Sequence, residues 1–394
     1  MFWLLLIAIL LLIAFYFYKN EIEVRTVTSK GLSRKGPRVG IVSDWHNTGV
    51  PYQSRFLSEC LSAKHDVFIF AYNKYMNDEV DWGYKKLVFS KLIKPWKVIN
   101  WIKSEKLKVV FFPDRLEDPE VLDWCKNNGV ATVMIINYET IKKEEFDSYK
   151  KNTILMCPVK CTYDLLKKYG FRNLRFIRWA VDDEVFVPEE KTIKSPIRFV
   201  HNAGYGGAQW RKNTLAVVEA FNIVCRKKKD AVLILKSQKP ISEYPEKVRD
   251  IINDNGRIRV IEKDLSMAGL IALYRSCHVS VLPSKWEGIG IPFIESLSLG
   301  LPVITVDAPP MNEWAKNGYN GLTARVGKWE QRKDRKLLVK GAMVDARDLS
   351  KQMLELTDQR SIERLRKNAV KSTRGMKKRF TIEVERLVRS LCKK

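Results

Sequence analysis

Two glutamates eight residues apart, Glu287 and Glu295, mark the most chemically informative stretch of this 394-residue sequence. The chain reads EGIGIPFIE over 287–295, two residues after the apolar run HVSVLPS at 278–284. A strand that passes through Gly288-Ile289-Gly290-Ile291 into a helix opening near Pro292 predicts an anion site. The glycines let backbone N–H groups approach a ligand, proline is tolerated in a first helical turn, and a helix N-terminus favours negative charge. Carboxylates accept hydrogen bonds from sugar and ribose hydroxyls. Glu287 in the loop and Glu295 in the helix could therefore hold the two ends of a nucleotide-sugar across that helix start. An ordinary strand–helix turn with a solvated glutamate would use the same residues.

The segment 278–322 resembles the retaining glycosyltransferases of family 4. Their GT-B fold carries an E-x7-E run, a small-residue helix, a PVI strand and a downstream Glu. Here EGIGIPFIE is followed by SLGLPVI and then by Asp307-Ala-Pro-Pro-Met-Asn-Glu313. GYNGL (318–322) and IRWAVDDEVF (177–186) fit the same pattern. By order of elements the likeness extends over most of 38–390, and it is sharp only at 278–322. It implies sugar transfer from a nucleotide donor with retention at the anomeric carbon and without a metal or other cofactor. It also implies that Glu287 contacts the donor sugar, that Glu295 contacts the ribose, and that the last helix crosses back onto the first domain.

A diphosphate carries about two negative charges and a helix end offers only about half a positive one, so such a site needs cations. Lys212, in Arg211-Lys212-Asn213, matches the lysine of the family's Lys-Gly pair, with Asn213 in place of the glycine. A solvated lysine at a helix start is the alternative. The family's second basic residue is missing from the loop that begins at His201, so either Arg211 or Lys236 substitutes or phosphate is held more weakly. In the first domain, the loop from Asp44 to Pro51 offers Gly49 for close backbone approach. It also holds His46, which is either a catalytic group or a surface histidine. Where the family often has a histidine after the fourth strand, this chain has Asn137-Tyr138-Glu139. Glu139 and Tyr138 are therefore acceptor-side candidates. His201 is expected just past a strand in the cleft, while His65 and His278 are expected to begin strands.

The elements that must position these residues alternate as in stacked βαβ units. Strands are predicted at 38–45, 65–72, 108–114, 131–139 and 153–159. Helices are predicted over Tyr52–Ala63, Pro95–Lys106, Pro119–Asn128 and Lys160–Lys168. After a polar, proline-bearing linker at 187–196, strands recur at 197–204, 231–238, 257–264, 278–284 and 302–307. The expected architecture is α/β: two doubly wound Rossmann-like domains, 38–186 and 197–374, facing a cleft, with a final helix over 376–391. Phe2 to Tyr18 are seventeen consecutive uncharged residues, mostly large and apolar. As a helix they would span roughly 25 Å, enough for a slightly thinned bilayer. A cleaved signal peptide is disfavoured, because neither a basic leading region nor a small-residue cleavage site is present. Lys19, Arg25, Lys30, Arg34, Lys35 and Arg38 follow the span and no basic residue precedes it, which predicts a single-pass anchor with its body in the cytoplasm. Residues 19–37 would be a stalk.

The formal charge is +25, from 70 Lys and Arg against 45 Asp and Glu, and it calls for an anionic partner. A membrane surface, a lipid-linked or other glycan acceptor and the donor diphosphate all qualify. Nucleic acid is disfavoured, since no recognition motif accompanies the charge. The seven cysteines form no C-x-x-C pair, and no Cys/His cluster has metal spacing. No D-x-D and no phosphate-binding G-x-x-x-x-G-K-[ST] loop occurs. The leading expectation is a membrane-anchored retaining glycosyltransferase. The alternatives are a catalytically silent nucleotide-sugar-binding subunit and another GT-B enzyme, such as a nucleotide-sugar epimerase or a phosphorylase.

Overall fold

The computed structural model describes residues 36–44, 49–72, 87–90, 94–114, 117–190, 192–204 and 210–393. The apolar span 2–18, most of the 19–37 stalk and His46 lie outside these residues. Among the described residues no helix is long and apolar enough to cross a membrane.

Two parallel sheets dominate. The first contains β1 (Val39–Asp44), β2 (Val67–Tyr72), β3 (Leu87–Ser90), β4 (Val109–Pro113), β5 (Ala131–Ile135), β6 (Ile154–Cys157) and β7 (Leu174–Phe176), in the spatial order 3-2-1-4-5-6-7. The second contains β8 (Ile197–Gly204), β9 (Ala231–Ser237), β10 (Ile258–Glu262), β11 (Val279–Val281), β12 (Val303–Val306) and β13 (Gly321–Ala324), in the order 10-9-8-11-12-13. Each order reverses direction beside its first strand, and that switch point opens a crevice at the carboxyl ends of the strands. The strands are nearly continuous runs of Val, Ile, Leu and Phe because helices cover both faces; β4, for example, is VVFFP with every residue buried.

Most predicted strands and helices are present within a few residues of the expected bounds. The run predicted as 131–139 stops at Ile135, where the chain bends into a short 3-10 turn at Tyr138–Thr140. β7 and β13 are short and weakly apolar, LRF and GLTA, and β3 and the antiparallel pair β14 (Val326–Glu330) and β15 (Gly341–Val344) were also not anticipated. β14 exposes four of its five residues, so it has no apolar pattern to read.

The last helix, Met376–Leu391, packs against the first domain. Its apolar face places Phe380 5.2 Å from Phe56 and 4.9 Å from Trp179, ring centre to ring centre. Phe56 lies on the Gly49–Ser62 helix and Trp179 in the segment after β7. Polar ties fix the crossing: Asp183 accepts from the Gly375 N–H at 3.0 Å, and Lys377 pairs with Asp182 at 2.7 Å.

Candidate active site

A cavity of about 880 Å³ opens between the carboxyl ends of the two sheets. Its second-domain wall begins where β8 and β11 end. After Val281 the chain runs through the 287–290 loop into the Ile291–Ser298 helix. Gly290 sits at φ +88°, a left-handed conformation that favours glycine, and an added Cβ would lie 3.2 Å from the Trp314 ring. A Cβ on Gly288 would meet the Cβ of Asn137, in the first domain, at 2.9 Å. The loop is held from both sides: the Trp314 indole donates to the Ile289 carbonyl at 2.6 Å and the Tyr138 N–H donates to the Gly288 carbonyl at 3.2 Å.

The Arg211–Lys212 turn is pressed against this loop. Asn213 occupies a left-handed conformation, φ +55°, and opens the Thr214–Lys227 helix. Asparagine tolerates that backbone better than most residues, which explains how it stands where a glycine was expected. Its Nδ2 also donates to the carbonyls of Pro283, at 2.6 Å, and Ala342, at 3.3 Å. The result is a compact charge cluster. The Lys212 ammonium bonds Glu287 Oε1, Arg211 Nη1 lies 3.4 Å from Glu287 Oε2, and the same nitrogen lies 3.1 Å from Glu139 Oε2 across the cleft. Burial works against the Glu287 charge, but Lys212 and Arg211 outweigh it and hold the carboxyl below the ordinary range.

Glu295, one helical stretch further, is buried without such close cations, and burial pushes its carboxyl up to about 7. Lys236 lines the cavity from β9, buried, with its ammonium pulled down by desolvation. Three cations, Arg211, Lys212 and Lys236, thus face one cavity, so both proposed substitutes for the missing basic residue are present.

The first domain supplies the opposite wall. Gly49 lines it, with nothing within 4 Å of where a Cβ would be, and so do Asn137 and Glu139. The cavity also takes in Tyr52, Gln53, Arg55 and Glu59 of the Gly49–Ser62 helix, and Asp182, none of which was anticipated. The buried polar positions Gln53 and Arg55 near the start of an otherwise core-facing helix are the signal that could have exposed them. Tyr138 is placed differently from the expectation. Its backbone touches Gly288, but its ring packs against the first-domain core and is not part of the cavity wall. His201 is likewise not part of the cavity wall: it lies within β8, fully buried, with Nδ1 against the Val281 carbonyl at 2.7 Å and Nε2 against Thr214 Oγ1 at 3.0 Å. Burial lowers it to about 4, so it is a neutral structural histidine.

Residues 204–369 match the family model for glycosyl transferases group 1. That span holds every second-domain residue of the charge cluster. The whole chain is similar in fold to a glycosyltransferase from Rickettsia africae, with a TM-score of 0.70 and 13% identity over 91% of this chain and 99% of that one. A sucrose-phosphate synthase from Thermosynechococcus elongatus gives 0.68 and 13%, over 90% and 99%. The Anabaena HepE protein, crystallised with UDP and glucose, gives 0.67 and 10%, over 90% and 100%. At such identities the likeness is one of fold, and the fold is GT-B. No curated protein matches the sequence.

Two further ties join the domains around the site. Glu313 reaches from the second domain to accept the N–H groups of Lys160, at 2.8 Å, and Cys161, at 2.6 Å, at the start of the Lys160–Lys168 helix. The segment between β14 and β15 crosses in the same direction. Arg332 from it donates to the Glu139 carbonyl and lies over the Trp286 ring at 4.4 Å, while the Leu338 N–H donates to the Ile141 carbonyl at 3.0 Å. The turn that carries Glu139 is therefore held by the second domain.

Proposed function

We propose that this chain is a retaining, metal-independent glycosyltransferase of family 4 type that moves a sugar from a nucleoside-diphosphate-sugar to a glycan or lipid-linked acceptor. The observation that carries the reading is the convergence of Arg211, Lys212 and Lys236 with Glu287 and Glu295 around one loop–helix junction in the interdomain cavity. The cavity volume suits a nucleotide-sugar. The three cations and the helix start would neutralise the donor diphosphate, which is the task a metal performs in other transferases. Glu287 and Glu295 would accept the hydroxyls of the donor sugar and of the ribose.

For the chemistry we favour front-face attack. The acceptor hydroxyl bonds to the anomeric carbon as the bond to the diphosphate oxygen breaks on the same face. The acceptor proton passes to a donor phosphate oxygen. The protein's part is to hold the two substrates in line and to stabilise the departing diphosphate. Glu287 is bound to Lys212 and Arg211, which suits a hydrogen-bond acceptor more than a free nucleophile. Glu139, opposite Arg211, is the first-domain group assigned to the acceptor side, and His46 is the first-domain candidate for a catalytic role. Residues 2–18 would anchor the body at a membrane, facing the cytoplasm.

The test is to incubate the full chain with a panel of nucleotide sugars and membrane or glycan extracts, and to read the product anomer by NMR. Transfer with retention is expected. Inversion, donor epimerisation without transfer, or a trapped glycosyl–Glu287 adduct would each overturn a stated part of the reading.

A further inference from the structure

All seven strands of the first sheet run in parallel, so the starts of the strands and the ends of the preceding helices meet at one end of the domain, opposite the cleft. Backbone bonds tie these starts side by side. The Val39 N–H donates to Asp66 O, Lys108 to Arg38 and Ala131 to Lys108, each at 3.0 Å, and Leu155 to Asn173 at 2.8 Å. This end is basic. Lys103, Lys106, Lys108, Lys126, Lys168 and Arg172 are all exposed here, and none of them is in an ion pair among the described residues. Three of the acids near this end carry their own cations: Asp123 pairs with Lys151 at 2.7 Å, Asp147 with Lys150 at 2.9 Å, and Glu385 with Lys64 at 2.7 Å.

Helix ends favour cations, which accounts for Lys103, Lys126 and Lys168. It does not account for Lys106, Lys108 and Arg172, which stand beyond the helices on the connecting turns. Tyr169, 40% exposed, adds an amphipathic ring among them, of the kind that settles at a headgroup boundary. The chain also enters the domain at this end. Arg38 donates to the Glu105 carbonyl at 2.8 Å and is followed by β1, so the apolar run 2–18 joins the body here, through about twenty residues.

We propose that this end of the first domain docks on an anionic lipid surface. The charge supplies the attraction, and the proposal rests on the membrane-anchor reading only for placing the body near a bilayer. The orientation stands the strands on end: the six residues of β1 lift the cleft about 20 Å from the headgroups. An acceptor that extends from the bilayer, such as a growing glycan, would reach it.

Cys392 gives a natural reporter, since it is the exposed cysteine among the seven and its thiol lies near Lys108. The full chain, labelled there with a fluorophore, is mixed with phosphatidylcholine vesicles carrying a headgroup energy acceptor, with or without phosphatidylglycerol. Energy transfer is expected to be roughly threefold or more higher with phosphatidylglycerol, and to fall in raised salt or in a Lys106→Glu/Lys108→Glu/Arg172→Glu variant of unchanged melting temperature. Equal transfer with both vesicles, or transfer indifferent to salt, overturns the docking surface without use of the variant. Flotation of the chain separates the two readings. Flotation with both vesicle types supports the anchor and leaves the energy transfer to decide the surface. Flotation with anionic vesicles alone removes the anchor and supports the surface, and flotation with neither removes both.

Discussion

The two walls of the cavity are built in different ways. The second-domain wall is a set of fixed charges on a glycine-shaped loop and two helix starts. Lys212, Glu287 and Glu295 are all buried, and Gly290 and Asn213 hold left-handed backbone that few residues tolerate. The first-domain wall is mostly one face of the Gly49–Ser62 helix plus a single turn at 138–140, and that turn is held in place by Arg332 from the other domain. The difference matches the two tasks of the proposed reaction. A diphosphate is the same in every donor of the class and rewards preorganised charge. An acceptor varies from enzyme to enzyme, and would be met by one helix face and one turn rather than by a cluster of preorganised charge.

The contrast can be broken by substitution. Glu287→Ala should lower kcat by about 10²–10³, the size expected when a preorganised polar contact to the reacting group is lost. Glu139→Ala should lower it by about tenfold at most, with donor affinity kept. Steady-state kinetics on both variants checks this, and equal losses would erase the distinction between the walls.

A smaller effect separates the two carboxylates of the second wall by pH. The Glu295 carboxyl, raised by burial from 4.5 to about 7, binds a proton in the folded chain that the unfolded chain gives up above pH 4.5. Its contribution to stability is fully present below about pH 4.5 and is lost as pH rises through 7. Glu295→Gln should therefore gain on the wild type by on the order of 3 kcal/mol between pH 5 and pH 8. Denaturant melts at both pH values measure it. A constant difference across that window would mean that Glu295 is ionised throughout.

Next in size is the backbone at Asn213. Asn213→Ala should lose about 1–2 kcal/mol from the left-handed conformation, and more as the bonds to Pro283 and Ala342 go. Asn213→Gly keeps the backbone and should lose only the bonds. If both variants melt alike, the conformation at 213 is not what the asparagine secures. The smallest effect is expected from Arg332→Ala, which frees the Glu139 turn without touching the phosphate cations. A KM for acceptor raised by a few-fold, with donor KM unchanged, is the expected split. A change in donor KM alone would place Arg332 on the other wall.

The same contrast explains what the sequence made legible. Buried parallel strands announce themselves as apolar runs, so β1, β4 and β8 could be read directly, and EGIGIPFIE advertised the second wall because its chemistry is local. Glu139 was readable only as a place where a residue was missing. Its pairing with Arg211, 72 positions away, and its support from Arg332, 193 positions away, are products of the fold. Arg332 lies between β14 and β15, an exposed and strongly charged stretch that resembles a solvated surface until it is seen to span the cleft. His201 was expected in the cleft for the opposite reason. A histidine inside a buried strand looks polar in sequence, and only its two partners show it to be structural.

The central claim is that Arg211, Lys212 and Lys236 form a diphosphate site. Thermal melting of the full chain against a panel of uridine and guanosine diphosphate sugars tests it most directly, with Lys236→Ala alongside. The account predicts a rise of a few degrees for one donor class, largely lost in the variant while the melting temperature without ligand changes little. No shift for any nucleotide-sugar, or a shift that Lys236→Ala leaves whole, would contradict it.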